Sequence, residues 1–188
     1  MKRAIFMDRD GVINVNAKEH EYIKFIDEFK FITGALESFK LFSKSNFLPI
    51  VVTNQKGIHR KILSKEKLSE IHNHMISQII KYGGVKPIIY WCGHGDEDDC
   101  DCRKPKPGML LRAAKDLDVD LSQSWMIDDA KSGIEAGAVA GCQTILVKTG
   151  LGLKQAEQIG TWKAKPDNIL ENLLEAVQFI YSHKTSVS

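Results

Sequence analysis

Short apolar runs alternate with longer segments of helical spacing along this 188-residue chain. The runs occupy residues 4–7, 48–52, 88–91, 125–127 and 144–147, and they are too short for helices but of the right length and make-up for strands. Between them, residues 64–82 place Leu68, Ile71, Met75, Ile79 and Tyr82 at steps of three and four on one helical face, with Ser64 as N-cap and Gly83-Gly84 as the stop. Residues 34–45 (Leu36, Phe39, Phe42), 109–117 (Leu110, Ala113, Leu117) and 169–181 (Leu170, Leu173, Leu174, Val177, Tyr181) repeat that pattern. Alternation of this kind predicts an α/β fold, a three-layer, Rossmann-like parallel sheet with helices on both faces. Ligands bind outside the carboxyl ends of the strands in such sheets, so chemistry belongs to the residues just after each run.

Those residues are unusual as a set. After the first run stands Asp8-Arg9-Asp10-Gly11, after the second Thr53-Asn54-Gln55, after the third and a cysteine-rich loop Arg103-Lys104-Pro105-Lys106-Pro107, and after the fourth Asp128-Asp129. Each alone reads as an ordinary polar turn. Acids, then hydroxyl and amide, then a cation, then acids again, at four successive strand ends, read as one site for an anionic group. The formal net charge is only +2, so no global basic field points to nucleic acid or an anionic membrane, and any charge that matters is local.

The set resembles the four motifs of the haloacid-dehalogenase-like phosphohydrolases, an Asp-x-Asp, a Ser or Thr, a Lys and a further Asp, over roughly residues 3–150. The resemblance implies a magnesium-dependent phosphatase. Asp8 would be the nucleophile that forms an aspartyl-phosphate, and Asp10 the acid that protonates the leaving oxygen and then activates water, which requires its pKa to be tuned upward. Mg²⁺ would be held by Asp8, the Asp10 backbone carbonyl and Asp129, with Lys104 adding charge and Thr53 and Asn54 donating to the phosphoryl oxygens. Many relatives carry a second acid four residues after the last motif's Asp; here that position is Gly133, with Asp128 on the other side, so either Asp128 substitutes electrostatically or the metal is held by fewer side chains and more water, with reduced affinity.

Three of the four cysteines fall between residues 92 and 102. Cys92, His94, Cys100 and Cys102 make a Cys₃His set, the donor type of a closed structural zinc site, which would order the loop carrying Arg103 and Lys104. Cys142 reads as a buried small hydrophobe. His72 and His74 lie two apart on a helix and face different ways, while His20, His59 and His183 are isolated. The acids Asp96, Glu97, Asp98, Asp99 and Asp101 need offsetting cations, for which Arg103, Lys104 and Lys106 are at hand. This acidity argues against a nucleic-acid-binding zinc module.

Two subfamilies combine such motifs with this zinc loop, the heptose bisphosphate phosphatases and the histidinol-phosphate phosphatases. The stretches from Phe6 to Asn14, from Val52 to Ile58 with Arg60, and from Arg103 to Met109 resemble the former. The five residues separating His94 from Cys100 are nearer the shorter loop of the latter. The heptose assignment is favoured, with Arg60, Arg103 and Lys104 as candidate contacts to substrate phosphates; a catalytically weak relative acting on another small phosphorylated metabolite is the further alternative. A single domain over residues 1–183 is expected, without a large cap domain, with short loops including residues 15–25 walling the pocket and residues 184–188 as a disordered tail. With no leader pattern and no apolar run near the ~18 residues of a membrane span, a cytoplasmic monomer is expected.

Overall fold

The computed structural model describes residues 1–18 and 21–182; His20, His183 and the expected tail at 184–188 lie outside the described residues. Six strands, β1 (Arg3–Met7), β2 (Phe47–Asn54), β3 (Ile88–Cys92), β4 (Trp125–Asp128), β5 (Gln143–Val147) and β6 (Asn168–Leu170), form one sheet in the order β3-β2-β1-β4-β5-β6. Every pairing is parallel. The helices are α1 (Ala35–Leu41), α2 (Lys65–Lys81), α3 (Gly108–Leu117), α4 (Lys131–Ala140), α5 (Gly152–Ala156) and α6 (Leu173–Ser182).

Alternation along the strands divides the core into two layers. Ile5, Met7, Val51, Ile127, Ile145 and Val147 pack with α1, α2 and α6, whereas Ala4, Phe6, Ile50, Val52 and Met126 pack with α3 and α4. The strands are therefore apolar on both faces, as a sheet covered on both sides requires. Within α2, Leu68, Ile71, Met75 and Ile79 are buried, and each such side chain contributes roughly 1.5–3 kcal/mol. Ser64 caps this helix by accepting from Lys67 N–H at 3.2 Å.

Three details depart from the sequence expectation. Residues 168–170 form the edge strand β6, not the first turn of a helix, because Leu146 and its neighbours in β5 offer a pairing partner that periodicity does not reveal. Tyr82 is 43% exposed and hydrogen-bonds Glu37 at 2.8 Å instead of joining the buried face. Helix α4 is not marked by an apolar stripe, because its buried residues are Gly133, Ile134, Ala136 and Gly137, three of them small. A Cβ on Gly137 would stand 2.6 Å from Met126 Cβ, so small residues let this helix lie close on the sheet. No helix among the described residues is long and apolar enough to cross a membrane.

Candidate active site

Strand β1 lies between β2 and β4, so the chain leaves the sheet in opposite directions beside its carboxyl end, the place where α/β sheets form a binding crevice. Asp8 is the first residue past β1, its N–H bonded to Ile127 O at 3.0 Å. Lys104 reaches in from the loop before α3, with Nζ 3.0 Å from Asp8 Oδ2 and 2.6 Å from Asp128 Oδ2 and only 1% of its side chain exposed. Its backbone is braced by Asn54, which accepts from Lys104 N–H at 3.1 Å and donates to Lys104 C=O at 3.0 Å. One hydrogen of the Asn54 amide is thus engaged in holding Lys104, a role additional to the expected one as a phosphoryl donor.

Asp129 completes an acidic cluster. Its Oδ2 accepts from Leu151 N–H at 2.7 Å and Asn16 Nδ2 at 3.3 Å, and Gly11, at φ 84°, passes so close that a Cβ there would overlap the carboxylate. Thr149 Oγ1 ties the two loops together by donating to Gly11 O at 2.6 Å. Oxygens of Asp8, Asp128 and Asp129 all lie within 4.8 Å of one another. Burial raises Asp8 to about 7, with Asp128 and Asp10 pushing the same way and Lys104 opposing. Burial, Asp128 and Asp8 raise Asp129 well above its ordinary value. Buried carboxylates that crowd one another while facing one lysine are a donor set fitted to a hard divalent cation, whose charge would let all of them ionise.

Asp10 is treated differently by its surroundings. Its two oxygens receive Arg9 Nη2 at 2.9 and 2.8 Å, Asn14 Nδ2 at 3.0 Å and Gln55 Nε2 at 2.9 Å. Burial alone would raise this carboxyl, but the Arg9 charge and these hydrogen bonds outweigh it and hold the group below its ordinary value. The expectation of an upward-tuned Asp10 is therefore not met in the free protein, since Arg9 stands beside it. Gln55 Nε2 also donates to Thr53 Oγ1 at 3.0 Å, so the second strand end is linked to the first.

A second cluster lies beyond β3. The Sγ atoms of Cys92, Cys100 and Cys102 are 3.1–3.6 Å apart, and His94 Nδ1 is 3.5 Å from Cys92 Sγ and 3.3 Å from Cys102 Sγ. These are far from the ~2.05 Å of a disulfide and range from about equal to roughly 0.7 Å shorter than the ~3.5–3.8 Å edges of a tetrahedron with zinc–sulfur and zinc–nitrogen bonds. The four donor atoms lie within 4.8 Å of one another, close enough to be shared by one metal ion.

A family model described as HAD-hydrolase-like matches residues 101–176. The D-glycero-beta-D-manno-heptose-1,7-bisphosphate 7-phosphatase of Pasteurella multocida is 40% identical over 171 residues, covering 85% of this chain and 91% of its own. This chain belongs to that phosphatase family. The corresponding protein of Pseudomonas aeruginosa is 39% identical over 150 residues, covering 80% of this chain and 83% of its own. Among solved structures, the D,D-heptose 1,7-bisphosphate phosphatase from B. bronchiseptica, complexed with magnesium and phosphate, superposes with a TM-score of 0.88 at 33% identity, covering 97% of this chain and 99% of its own.

Against this heptose-phosphatase family background the unusual last motif becomes intelligible. A Cβ at Gly133 would overlap the Asp128 carboxylate, so that carboxylate fills the space a side chain at 133 would take. Asp128 can stand there, accepting from Lys104 and from Ala130 N–H at 2.9 Å, only because residue 133 is glycine.

The rim differs from expectation in its charge partners. Asp96 accepts from Lys56 Nζ and Arg103 Nε, both at 2.6 Å, which hold its carboxyl down to about 2. His59 contacts Glu97 at 2.7 Å and Asp98 at 2.9 Å, and Lys106 contacts Asp99 at 2.6 Å. Lys104, expected among the offsetting cations, is instead committed to Asp8 and Asp128, and Lys56 and His59 take its place. Arg103 is engaged with the loop, and Arg60 is exposed with its guanidinium 6.0 Å from the centre of the Tyr22 ring. Arg9, Asn14 and Asn16 were not singled out from the sequence. A short polar residue next to a motif acid was the available signal, but only the folded loop shows which of them face it.

Proposed function

We propose that this protein hydrolyses the 7-phosphate of D-glycero-D-manno-heptose 1,7-bisphosphate through an aspartyl-phosphate on Asp8. The observation that carries this reading is Asp8 beside a buried Lys104 within a cluster of crowded carboxylates at the sheet's switch point. Asp8, the Asp10 backbone carbonyl and Asp129 would hold Mg²⁺, which when bound supplies the positive charge that lets an anionic nucleophile meet an anionic phosphate.

In the first step Asp8 Oδ attacks phosphorus in line, the ester P–O bond breaks, and Asp10 gives its proton to the departing alkoxide. Asp10 is held low in the free protein, so it takes up that proton with the substrate in place, where the phosphate charge opposes Arg9. In the second step Asp10 removes a proton from water, which attacks phosphorus and releases inorganic phosphate from Asp8. Lys104 stabilises charge on the transferring group, and the Thr53 hydroxyl hydrogen is free to point toward it because Gln55 serves its oxygen. Arg60 and Arg103 are the candidate contacts for the remainder of the substrate.

Side-by-side kinetics on heptose 1,7-bisphosphate and histidinol phosphate test the substrate. The expected kcat/KM is at least ~10-fold higher for the heptose, a difference of about 1.4 kcal/mol. The reverse order would transfer the assignment to the amino-alcohol ester that the short loop favours.

Zinc at Cys92, His94, Cys100 and Cys102 is part of the same reading, as a structural ion with no open position. Purified protein is expected to contain one zinc per chain by elemental analysis. Cys100→Ser is expected to lose most of it and to melt at least about 5 °C lower, since the metal's binding energy contributes to loop order. A chain that never contains zinc, even when expressed with it, would remove that assignment. The cysteines are not paired in disulfides, which suits a cytoplasmic location, and the acidic loop speaks against nucleic acid; the protein is read as a monomer that handles a small metabolite.

A further inference from the structure

The side of Arg9 facing away from Asp10 has a partner that the reaction described above does not use. Arg9 is 1% exposed, and its Nη1 lies 3.2 Å from His72 Nε2, on helix α2. A guanidinium has only donors and keeps its charge in proteins. His72 Nε2 must therefore present a lone pair, which places the ring proton on Nδ1 and makes the imidazole neutral. Burial, followed by the Arg9 charge, holds His72 down to about 3, in keeping with that tautomer.

The planar guanidinium is thus gripped at two nitrogens. Nη2 meets both Asp10 oxygens and Nη1 meets His72, while Asn14 and Gln55 each fix one Asp10 oxygen from another direction. Of these groups only His72 belongs to the helical layer, 7% exposed and flanked along α2 by the buried Ile71 and Met75. Its position is set by core packing, and it passes that rigidity to a carboxyl whose side chain is 30% exposed at the site. Without the imidazole acceptor, Arg9 Nη1 would be buried with nothing to bond, and the guanidinium would turn to find a partner.

We propose that His72 is a positioning residue for phosphoryl transfer, acting through Arg9 to fix the direction in which the Asp10 carboxyl faces the leaving oxygen. The inference rests on the reading of Asp10 as proton donor. In the first step, which kcat/KM reports, a misdirected donor harms esters of poor leaving groups, which need a proton, and spares those of good leaving groups, which do not; hydrolysis of the aspartyl-phosphate is common to both esters and enters kcat alone.

The test compares His72→Leu and His72→Gln with wild type on heptose 1,7-bisphosphate and on p-nitrophenyl phosphate, in Mg²⁺. For His72→Leu the expected kcat/KM on the sugar ester falls ~10–100-fold, while kcat/KM on the aryl ester falls less than about threefold. His72→Gln, whose amide oxygen can accept from Arg9, is expected to recover most of the loss. Equal losses on both esters, or no loss on either, in a folded and active protein overturn the inference alone. If the leucine variant does not fold, Arg9→Lys carries the same comparison, because one ammonium cannot span Asp10 and His72 as the fork does, and equal losses again overturn the inference. ¹⁵N spectra of labelled wild-type histidine give a readout independent of turnover: His72 is expected with a bare Nε2, and a protonated Nε2 overturns the inference. A wild type inactive on both esters would overturn the phosphatase reading, and this inference with it.

Discussion

Asp8→Asn is expected to lower kcat on any phosphate ester by at least ~10³-fold while leaving the protein folded. The amide is nearly the same shape as the carboxylate but is not a nucleophile toward phosphorus, so no aspartyl-phosphate forms. The substitution also removes one of the crowded buried charges, which burial already pushes up to about 7 in the absence of a cation. Lys104 keeps Asp128 at 2.6 Å as its partner. The melting temperature is therefore expected to stay equal or rise, which separates a chemical defect from a structural one. Steady-state rates in Mg²⁺ and a thermal melt check both halves; an asparagine variant within tenfold of wild-type kcat would remove Asp8 from the role of nucleophile.

Gly133→Ala is the second large effect. The added methyl would overlap the Asp128 carboxylate, so either Asp128 leaves Lys104 or α4 moves off β4. Overpacking together with disturbance of a buried ion pair is expected to cost about 2–4 kcal/mol, a fall in melting temperature of roughly 4–15 °C. Since Lys104 would lose its orientation toward Asp8, kcat is expected to fall ~10²-fold as well. The paired exchange Asp128→Gly with Gly133→Asp returns an acid to the same space from the helix side. It is expected to recover at least ~10-fold of the activity that either single change loses, a coupling that only neighbouring residues show. Additive losses in the double variant would mean that the two positions do not share one space.

Much of this was legible in advance. The buried runs announced the central strands because a sheet covered on both faces must be apolar on both, and Asp8, Asp10, Lys104 and Asp129 follow those runs at the strand ends or in the loops beyond. The cysteine loop was legible because four donors within residues 92–102 have few other uses. Residues 168–170 were not, because three residues carry no period and their strand exists only through its neighbour β5. Helix α4 was hard to see for the opposite reason: its closeness to the sheet calls for small residues, which erase the apolar stripe.

At the site the division is similar. Residue type and order along the chain determined which groups can attack, donate protons or bind metals, since these are properties of the side chains themselves. Which group serves which partner was decided by tertiary structure, because hydrogen-bond direction and charge depend on distances across loops distant in sequence. Thus Asn54, a donor by type, holds Lys104; Asp10, an acid by motif, is kept low by Arg9; and Asp128 takes the space that a glycine five residues later leaves open. A motif names the chemistry, but only packing assigns each buried charge its counter-charge.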